Sequence, residues 1–464
     1  MRETRRAFIA GVAAAGLGAS VPFRRGSAEA SIKEYRLIAG PATTKLVRDD
    51  RPATVVWAYD GAVPGPELRV RQGERLRVVV QNRLREATTV HWHGVRVPNA
   101  MDGVPGLTQP LIDPGQDFAY EFTPPDAGTF WYHPHADTLQ QLGRGLAGAL
   151  IVEEREPIAV DRDLLWFIED WRLDEEGRIA TGFGNRMEAG MSGRIGNTVT
   201  INGRLPDRVS VRPGERIRLR VVNAALARIA GLRFDGHQPT VLAYDGQPCD
   251  PHLLEDSRLM LGPAMRADLL LNMTGVPGQS YPVIDDFYRD LSDKLLDLAY
   301  EPGRPVAQQT DAPPKLPGNP LPEPDLSAAE RREIVLQGGM MSGMGMSGMG
   351  MGGATWAING MSMKGDGGPD MPPLFALNRG QTCVLALRND TAWWHPMHLH
   401  GHSFRVVSRN GKANPIVEWR DTVLMPPRER AEIAFVADNP GDWMFHCHVT
   451  DHQAAGMMAT LRIS

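Results

Sequence analysis

Four His-x-His pairs stand at matched positions of this chain: His91-Trp92-His93, His133-Pro134-His135, His398-Leu399-His400 and His446-Cys447-His448. On a β-strand, residues i and i+2 point to one face, so each motif aims two imidazoles the same way. Packing eight imidazoles without a metal would leave many buried nitrogens to satisfy, so the pattern predicts metal binding. The last motif encloses Cys447, which by the same alternation faces the other side of its strand and predicts a second site there. His395, three residues before His398, can approach it, as can His452 and Met457, five and ten residues after Cys447. Two imidazoles, one thiolate and a weak thioether make a blue-copper electron-transfer site. Zinc, the competing metal, prefers four closed ligands without a thioether, which makes the methionine the deciding residue.

The elements that must position these pairs repeat three times. Residues 68–75, 209–216 and 375–382 align without gaps, and an alternating strand follows the glycine of each frame: Gly73, Gly214 and Gly380. Nine residues after that glycine stands an asparagine in every copy: Asn82, Asn223 and Asn389. A register shared at three places is a repeat of domain size. Asp60-Gly61, Asn202-Gly203 and Asn359-Gly360 precede the frames and predict turns between strands. Nine residues after the asparagine, the first copy has His91 and the third has His398, whereas the middle copy reads Leu232-Arg233-Phe234. Gly128 and Gly441 each lead at five residues to the second pair, while Gly278 leads to Val283 and Asp285. The middle copy thus keeps the frame without the ligands.

Composition agrees with this organisation. A length of 464 residues suggests three domains, here bounded at 31–155, 156–310 and 311–464. Hydrophobic residues at 42% and charged residues at 23% describe an ordinary globular body. A net charge of -5, a pI of about 6.2 and the lack of a long basic run argue against a nucleic-acid partner. Glycine (49) and proline (37) punctuate short Val-rich runs, which reads as all-β. With only Cys249, Cys383 and Cys447, no disulfide framework holds the fold, and the first two read as buried thiols. His237, His252 and His402 fall outside the four matched motifs and read as structural or surface residues. Eight prolines in the 23 residues from Pro302 to Pro324 predict an extended connector.

With these motifs in hand, the sequence resembles the multicopper oxidases, specifically three-domain bacterial laccases and cuprous oxidases. The resemblance covers essentially the whole chain after residue 30. It implies three cupredoxin domains, each a Greek-key β-sandwich, with four coppers per chain. By that resemblance His395, Cys447, His452 and axial Met457 would hold the type 1 copper, and His91 and His398 the type 2 copper. His93, His133 and His448 would bind one type 3 copper; His135, His400 and His446 would bind the other. The implied reaction couples one-electron oxidation of cuprous ion, phenols or aromatic diamines to the four-electron reduction of dioxygen to water. Asp102 matches an acidic residue the family uses near the cluster. The second acidic position of copper-efflux relatives is Gln453 here, which cannot ionise, and Asp451 is the nearby carboxylate.

Two further segments bear on function. Residues 340–351 hold six methionines among glycine and serine, where copper-efflux oxidases carry a Met-rich insert. Exposed thioethers favour Cu(I), which points to cuprous oxidase activity and copper tolerance. Relatives place a substrate-site methionine just ahead of the first third-domain histidine, where this chain has Trp393-Trp394. A laccase for organic substrates shares every ligand and is the nearest alternative; a copper-sequestration protein would not require a wired blue site. Thr4-Arg5-Arg6-Ala7-Phe8-Ile9, a mild apolar run and Ala28-Glu29-Ala30 resemble a twin-arginine export signal over residues 1–30, which predicts a periplasmic protein with no membrane span. A monomer is expected.

Overall fold

The computed structural model describes residues 32–47, 51–306, 312–340, 355–363, 365 and 371–464. The twin-arginine segment lies outside the described residues, as does the Met-rich run beyond Met340. Among the described residues the regular structure is mostly β, in six sheets, two for each copy of the repeat. In the first copy Thr54–Tyr59, Ile32–Thr44, Arg75–Asn82 and Asp117–Phe122 form one sheet, and Gly65–Arg71, Gly148–Glu153, Gly128–His133 and His91–His93 the other. Strand Arg75–Asn82 illustrates why the layers pack: Leu76, Val78 and Val80 point into the sandwich while Arg75, Arg77 and Val79 face outward.

The repeat seen in the sequence is a repeat of topology. The opening strand of each copy, Ile32–Thr44, Arg162–Trp171 or Glu330–Gly338, pairs in parallel with the strand after the frame glycine, Arg75–Asn82, Arg216–Asn223 or Thr382–Asn389. The strand before that glycine pairs in parallel with the closing strand of its copy: Gly65–Arg71 with Gly148–Glu153, Arg208–Val211 with Asp293–Tyr300, and Pro373–Leu377 with Met458–Ile463. Asp60-Gly61, Asn202-Gly203 and Asn359-Gly360 all have positive φ at both residues, the requirement of a tight two-residue hairpin turn.

The shared asparagines are fully buried, and each does the same work. Asn82 Nδ2 donates to the carbonyls of Glu86 and Ile112, Asn223 Nδ2 to those of Arg228 and Leu261, and Asn389 Nδ2 to those of Trp393, Met425 and Pro426. Each Oδ1 accepts the amide two residues on: Leu84, Ala225 or Thr391. The side chain thus pins the loop that delivers the next strand, and in the first and last copies that strand carries histidines. In the middle copy Leu232, Phe234 and Val283 are core residues instead.

The middle copy packs against the first through a buried ionic layer. Strand Arg216–Asn223 turns Ile217, Leu219 and Val221 into its own core. From the other face Arg218 Nη2 donates to Glu154 and Asp268, both at 2.6 Å, and Arg220 Nη1 donates to Thr129 Oγ1 at 2.9 Å. The proline-rich connector is docked, not free: Asn319 Nδ2 donates to the Ala127 carbonyl, and its Oδ1 accepts the Ala127 amide. Leu316 is buried beside Leu242 and Leu270. No helix among the described residues is long and apolar enough to cross a membrane.

Candidate metal centres

Two antiparallel strand pairs carry the histidine motifs, with His91–His93 wholly on a strand and His135, His400 and His448 just past the ends of theirs. His91–His93 pairs with Gly128–His133 in the register His91 opposite His133 and His93 opposite Trp131. His395–Leu399 pairs with Gly441–Cys447, with His398 opposite His446 and Met397 opposite Cys447. The two pairs face each other across the boundary between the first and last copies. His93 stacks on His398 with ring centroids 3.8 Å apart, and His91 stacks on His400 at 4.0 Å. All eight rings are buried. Their nitrogens fall into groups within 4.8 Å: His93, His133 and His448; His135, His400 and His446; and His91, His93 and His398.

The hydrogen bonds decide which nitrogen of each ring is left over. The Nδ1–H of His91 donates to the Asp102 carbonyl at 2.8 Å and that of His398 to the Asp421 carbonyl at 2.9 Å, since a carbonyl only accepts. Nε2 of both rings has no partner. His93 is turned the other way: Nε2–H donates to Asp421 Oδ1 at 3.2 Å and Nδ1 is left over. His448 Nδ1 and both nitrogens of His135 are also buried and unpartnered. His133 Nδ1–H donates to the Pro134 carbonyl, and His446 Nδ1–H to that of Cys447. With Nδ1–H of His400 and His446 both committed, their Nε2 atoms meet 3.1 Å apart without a proton between them, and His133 and His448 Nε2 lie 3.4 Å apart.

Such an arrangement of lone pairs is repulsive unless a cation sits among them, and orphaned buried nitrogens are otherwise costly. Burial also keeps the rings neutral, and so able to ligate. It holds His93, His133, His400, His446 and His448 well below the ordinary histidine range and takes His135 down to about 3. The residues therefore fit a cluster of metal ions.

On the opposite face of strand Gly441–Cys447, Cys447 Sγ lies 3.5 Å from His395 Nδ1 and 3.6 Å from His452 Nδ1. Burial pushes its thiol well up, so a thiolate there requires a neighbouring cation. Burial also takes His452 down to about 3. The far nitrogens are fixed: His395 Nε2 is 2.8 Å from Thr391 Oγ1, and His452 Nε2–H donates to the Met191 carbonyl at 2.8 Å. Met457 is fully buried in the same core, and its carbonyl accepts the Cys447 amide at 3.0 Å.

Family profiles described as multicopper oxidase match residues 42–157, 163–298 and 345–464. The multicopper oxidase MmcO of Mycobacterium tuberculosis is 31% identical, covering 92% of this chain and 87% of its own. The chain belongs to the multicopper oxidase family. Its structure is similar to that of a multicopper oxidase from Pseudomonas thermotolerans, with a TM-score of 0.84, 36% identity, and coverage of 94% of this chain and 100% of that one. A multicopper oxidase from Campylobacter jejuni, described as a metallo-oxidase, gives 0.77 at 26% identity, covering 94% and 93%. The three sandwiches are thus cupredoxin-like domains, and the protein is an oxidoreductase that uses oxygen and, by the family standard, four coppers.

In this multicopper oxidase Asp102 is not a surface turn residue. It is buried at the end of the single turn Asn99–Met101, its carbonyl holds His91, and its Oδ2 accepts the Nδ1–H of His400 at 2.9 Å. Asp421, which sequence reasoning missed, does the matching work from the last domain. It touches His93 through its side chain and His398 through its carbonyl. Although burial pushes its carboxyl up, the guanidinium of Arg266 holds Asp421 well below the usual range. Gln453 is buried with neither side-chain atom hydrogen bonded, and Asp451 Oδ2 accepts the Arg194 amide. His402 Nδ1–H donates to the His400 carbonyl, His237 pairs with Tyr300 at 2.6 Å, and His252 lies 3.3 Å from Tyr244; all three stand apart from the clusters.

Gly94, directly after the first motif, has φ +82°, and a Cβ there would lie 2.3 Å from both Arg266 Nη2 and Asp421 Oδ2. Gly94→Ala is therefore expected to destabilise the apo chain by about 2–5 kcal/mol, combining left-handed strain with overpacking. Thermal unfolding checks this; an unchanged midpoint would mean that the ion pair moves aside freely.

Proposed function

We propose that His395, Cys447, His452 and Met457 would hold the type 1 copper, and that His91 and His398 would hold the type 2 copper. His93, His133 and His448 would hold one type 3 copper, and His135, His400 and His446 the other. Support comes from the nitrogens left without partners and from the grouping of the rings. When bound, the coppers supply one-electron acceptance at the thiolate site and four-electron reduction of dioxygen to water at the cluster. The chain supplies the wiring, the orientation and the protons. Cys447 is covalently continuous with His446 and His448, so a ligand on one face of the strand is bonded through the main chain to two on the other. Asp102 carries protons: its Oδ2 lies against His400, and its Oδ1 lies 3.3 Å from His91 Nδ1. The domains run over 31–155, 156–310 and 311–464.

The substrate is cuprous ion, and the protein serves copper tolerance. The observation that carries this is the covering of His452. Its outer nitrogen is already bonded to the Met191 carbonyl, so a phenol has no imidazole edge to meet there. Met191, Met187 and Met340 are 38%, 63% and 46% exposed. They belong to one surface, because the Met340 amide donates to the Gly190 carbonyl at 2.8 Å and the Met340 carbonyl accepts from Trp393 Nε1. Thioethers at this place offer soft ligands to Cu(I), and the Met-rich run continues from Met340. Trp393 thus holds a methionine in position where relatives place one directly.

Replacing Met187, Met191 and Met340 together by leucine keeps the volume and removes the sulfur. Oxidation of limiting Cu(I) is expected to fall about tenfold, the equivalent of ~1.4 kcal/mol of cation binding, with phenol oxidation unchanged. Equal losses on both substrates, or none on either, would contradict the assignment. Residues 1–30 export the folded chain to the periplasm, where it acts as a monomer; Ala30 is the last residue removed, as N-terminal sequencing of the periplasmic protein would reveal.

A further inference from the structure

The middle domain carries no histidine motif, yet one of its side chains reaches the cluster. Arg266, on strand Arg266–Asn272, is fully buried. Its guanidinium forms a fork with Asp421 of the last domain, Nη1 to Oδ1 at 2.8 Å and Nη2 to Oδ2 at 2.6 Å. Its Nε donates to the Thr129 carbonyl of the first domain at 3.1 Å. Asp245, also from the middle domain, accepts the Arg266 amide through Oδ1 and the Thr422 amide through Oδ2. Thr422 Oγ1 donates in turn to Asp421 Oδ1 at 2.8 Å. Asp421 is thereby held by Arg266 and Thr422, and its Oδ1, which accepts from both, also lies 3.2 Å from His93 Nε2 while its carbonyl faces His398 Nδ1.

We infer that Arg266 is a positioning residue for the copper cluster: by fixing Asp421 it dictates that His93 offers Nδ1 and His398 offers Nε2 to the metal. This rests on the ligand assignment proposed above. A planar fork suits the task, because two parallel hydrogen bonds fix the plane of a carboxylate as a single ammonium would not. Groups behind the ligands set ring orientation and tautomer, and their loss typically costs about 10–100-fold in metal affinity. Gly94 has the same logic, since only a residue without a Cβ lets the fork lie against the first ligand strand. The domain without histidine motifs is then needed to keep its neighbours' ligands in register.

The test compares Arg266→Gln with Arg220→Gln in the full-length protein. Arg220 sits across the same boundary, bonded to Asp163, Asp268 and Thr129, and contacts no proposed ligand or Asp421. Both variants are loaded with copper, dialysed against graded chelator, counted for copper and measured by electron paramagnetic resonance. Arg266→Gln is expected to weaken retention of cluster copper about 10–100-fold and to alter or erase the type 2 signal, with the blue band intact. Arg220→Gln is expected to retain wild-type copper and spectra even if its thermal midpoint falls. If Arg266→Gln does not fold, Arg266→Lys carries the test, with a smaller loss in the same direction expected. Wild-type retention and type 2 signal in the Arg266 variant, or equal copper loss in both variants, would overturn the inference. A wild-type protein that bound copper without any type 2 signal would overturn the ligand assignment itself.

Discussion

Replacing Cys447 by Ser is expected to abolish the intense visible absorption and to lower turnover by about a thousandfold or more, well beyond the 10–100-fold typical of residues behind the ligands. Sγ lies 3.5 Å from His395 Nδ1 and 3.6 Å from His452 Nδ1, and the colour of a blue site comes from thiolate-to-copper charge transfer. A serine hydroxyl is a hard, weakly acidic donor that supplies neither the band nor a soft ligand. Its electron route to His446 and His448 would remain as a main chain with nothing to feed it. The fold should persist, since the cost is a buried hydroxyl short of a partner, about 1–3 kcal/mol. Cluster copper, counted after loading and observed by its type 2 resonance, should be retained. A variant that kept the visible band and wild-type turnover would remove Cys447 from the site.

Asp102→Asn is expected to leave copper content and the rate of bleaching by reductant unchanged and to slow reoxidation by dioxygen roughly 10²-fold, within the range for loss of a proton-transfer group. The substitution separates two roles that one residue combines. An asparagine Oδ1 still accepts the His400 Nδ1–H, and the main-chain carbonyl still accepts that of His91, so ring orientation survives. The proton-carrying oxygen does not. Asp102→Ala removes the His400 contact as well and should lose cluster copper. Stopped-flow reoxidation distinguishes the cases: a wild-type rate in Asp102→Asn would confine Asp102 to orientation.

The histidine motifs were legible because their geometry is local. Alternation along a strand converts spacing of two into a shared face, and it correctly sent Cys447 and its flanking histidines to opposite sides of one strand. The repeat was legible for a related reason: Asn82, Asn223 and Asn389 each close a loop with atoms only a few residues ahead, such as Leu84, Ala225 and Thr391. What could not be read was the layer behind the ligands. Asp421 meets His93 across 328 residues, and Arg266 meets Asp421 across 155. Neither carries a spacing signal, and a buried arginine on a strand looks like any surface charge until a second domain covers it. The covering of His452 by Met191 joins residues 261 apart and was equally hidden. Proline content predicts the extended connector, whereas its docking through Asn319 and Leu316 carries no spacing signal.

Oxygen consumption by the copper-loaded protein supplied with chelated Cu(I), with copper counted beforehand and hydrogen peroxide assayed afterwards, tests the central claim most directly. Four coppers per chain, four cuprous ions oxidised for each dioxygen consumed and no released peroxide are expected. Two cuprous ions per dioxygen with peroxide in solution, or uptake that continues undiminished in Cys447→Ser, would contradict it.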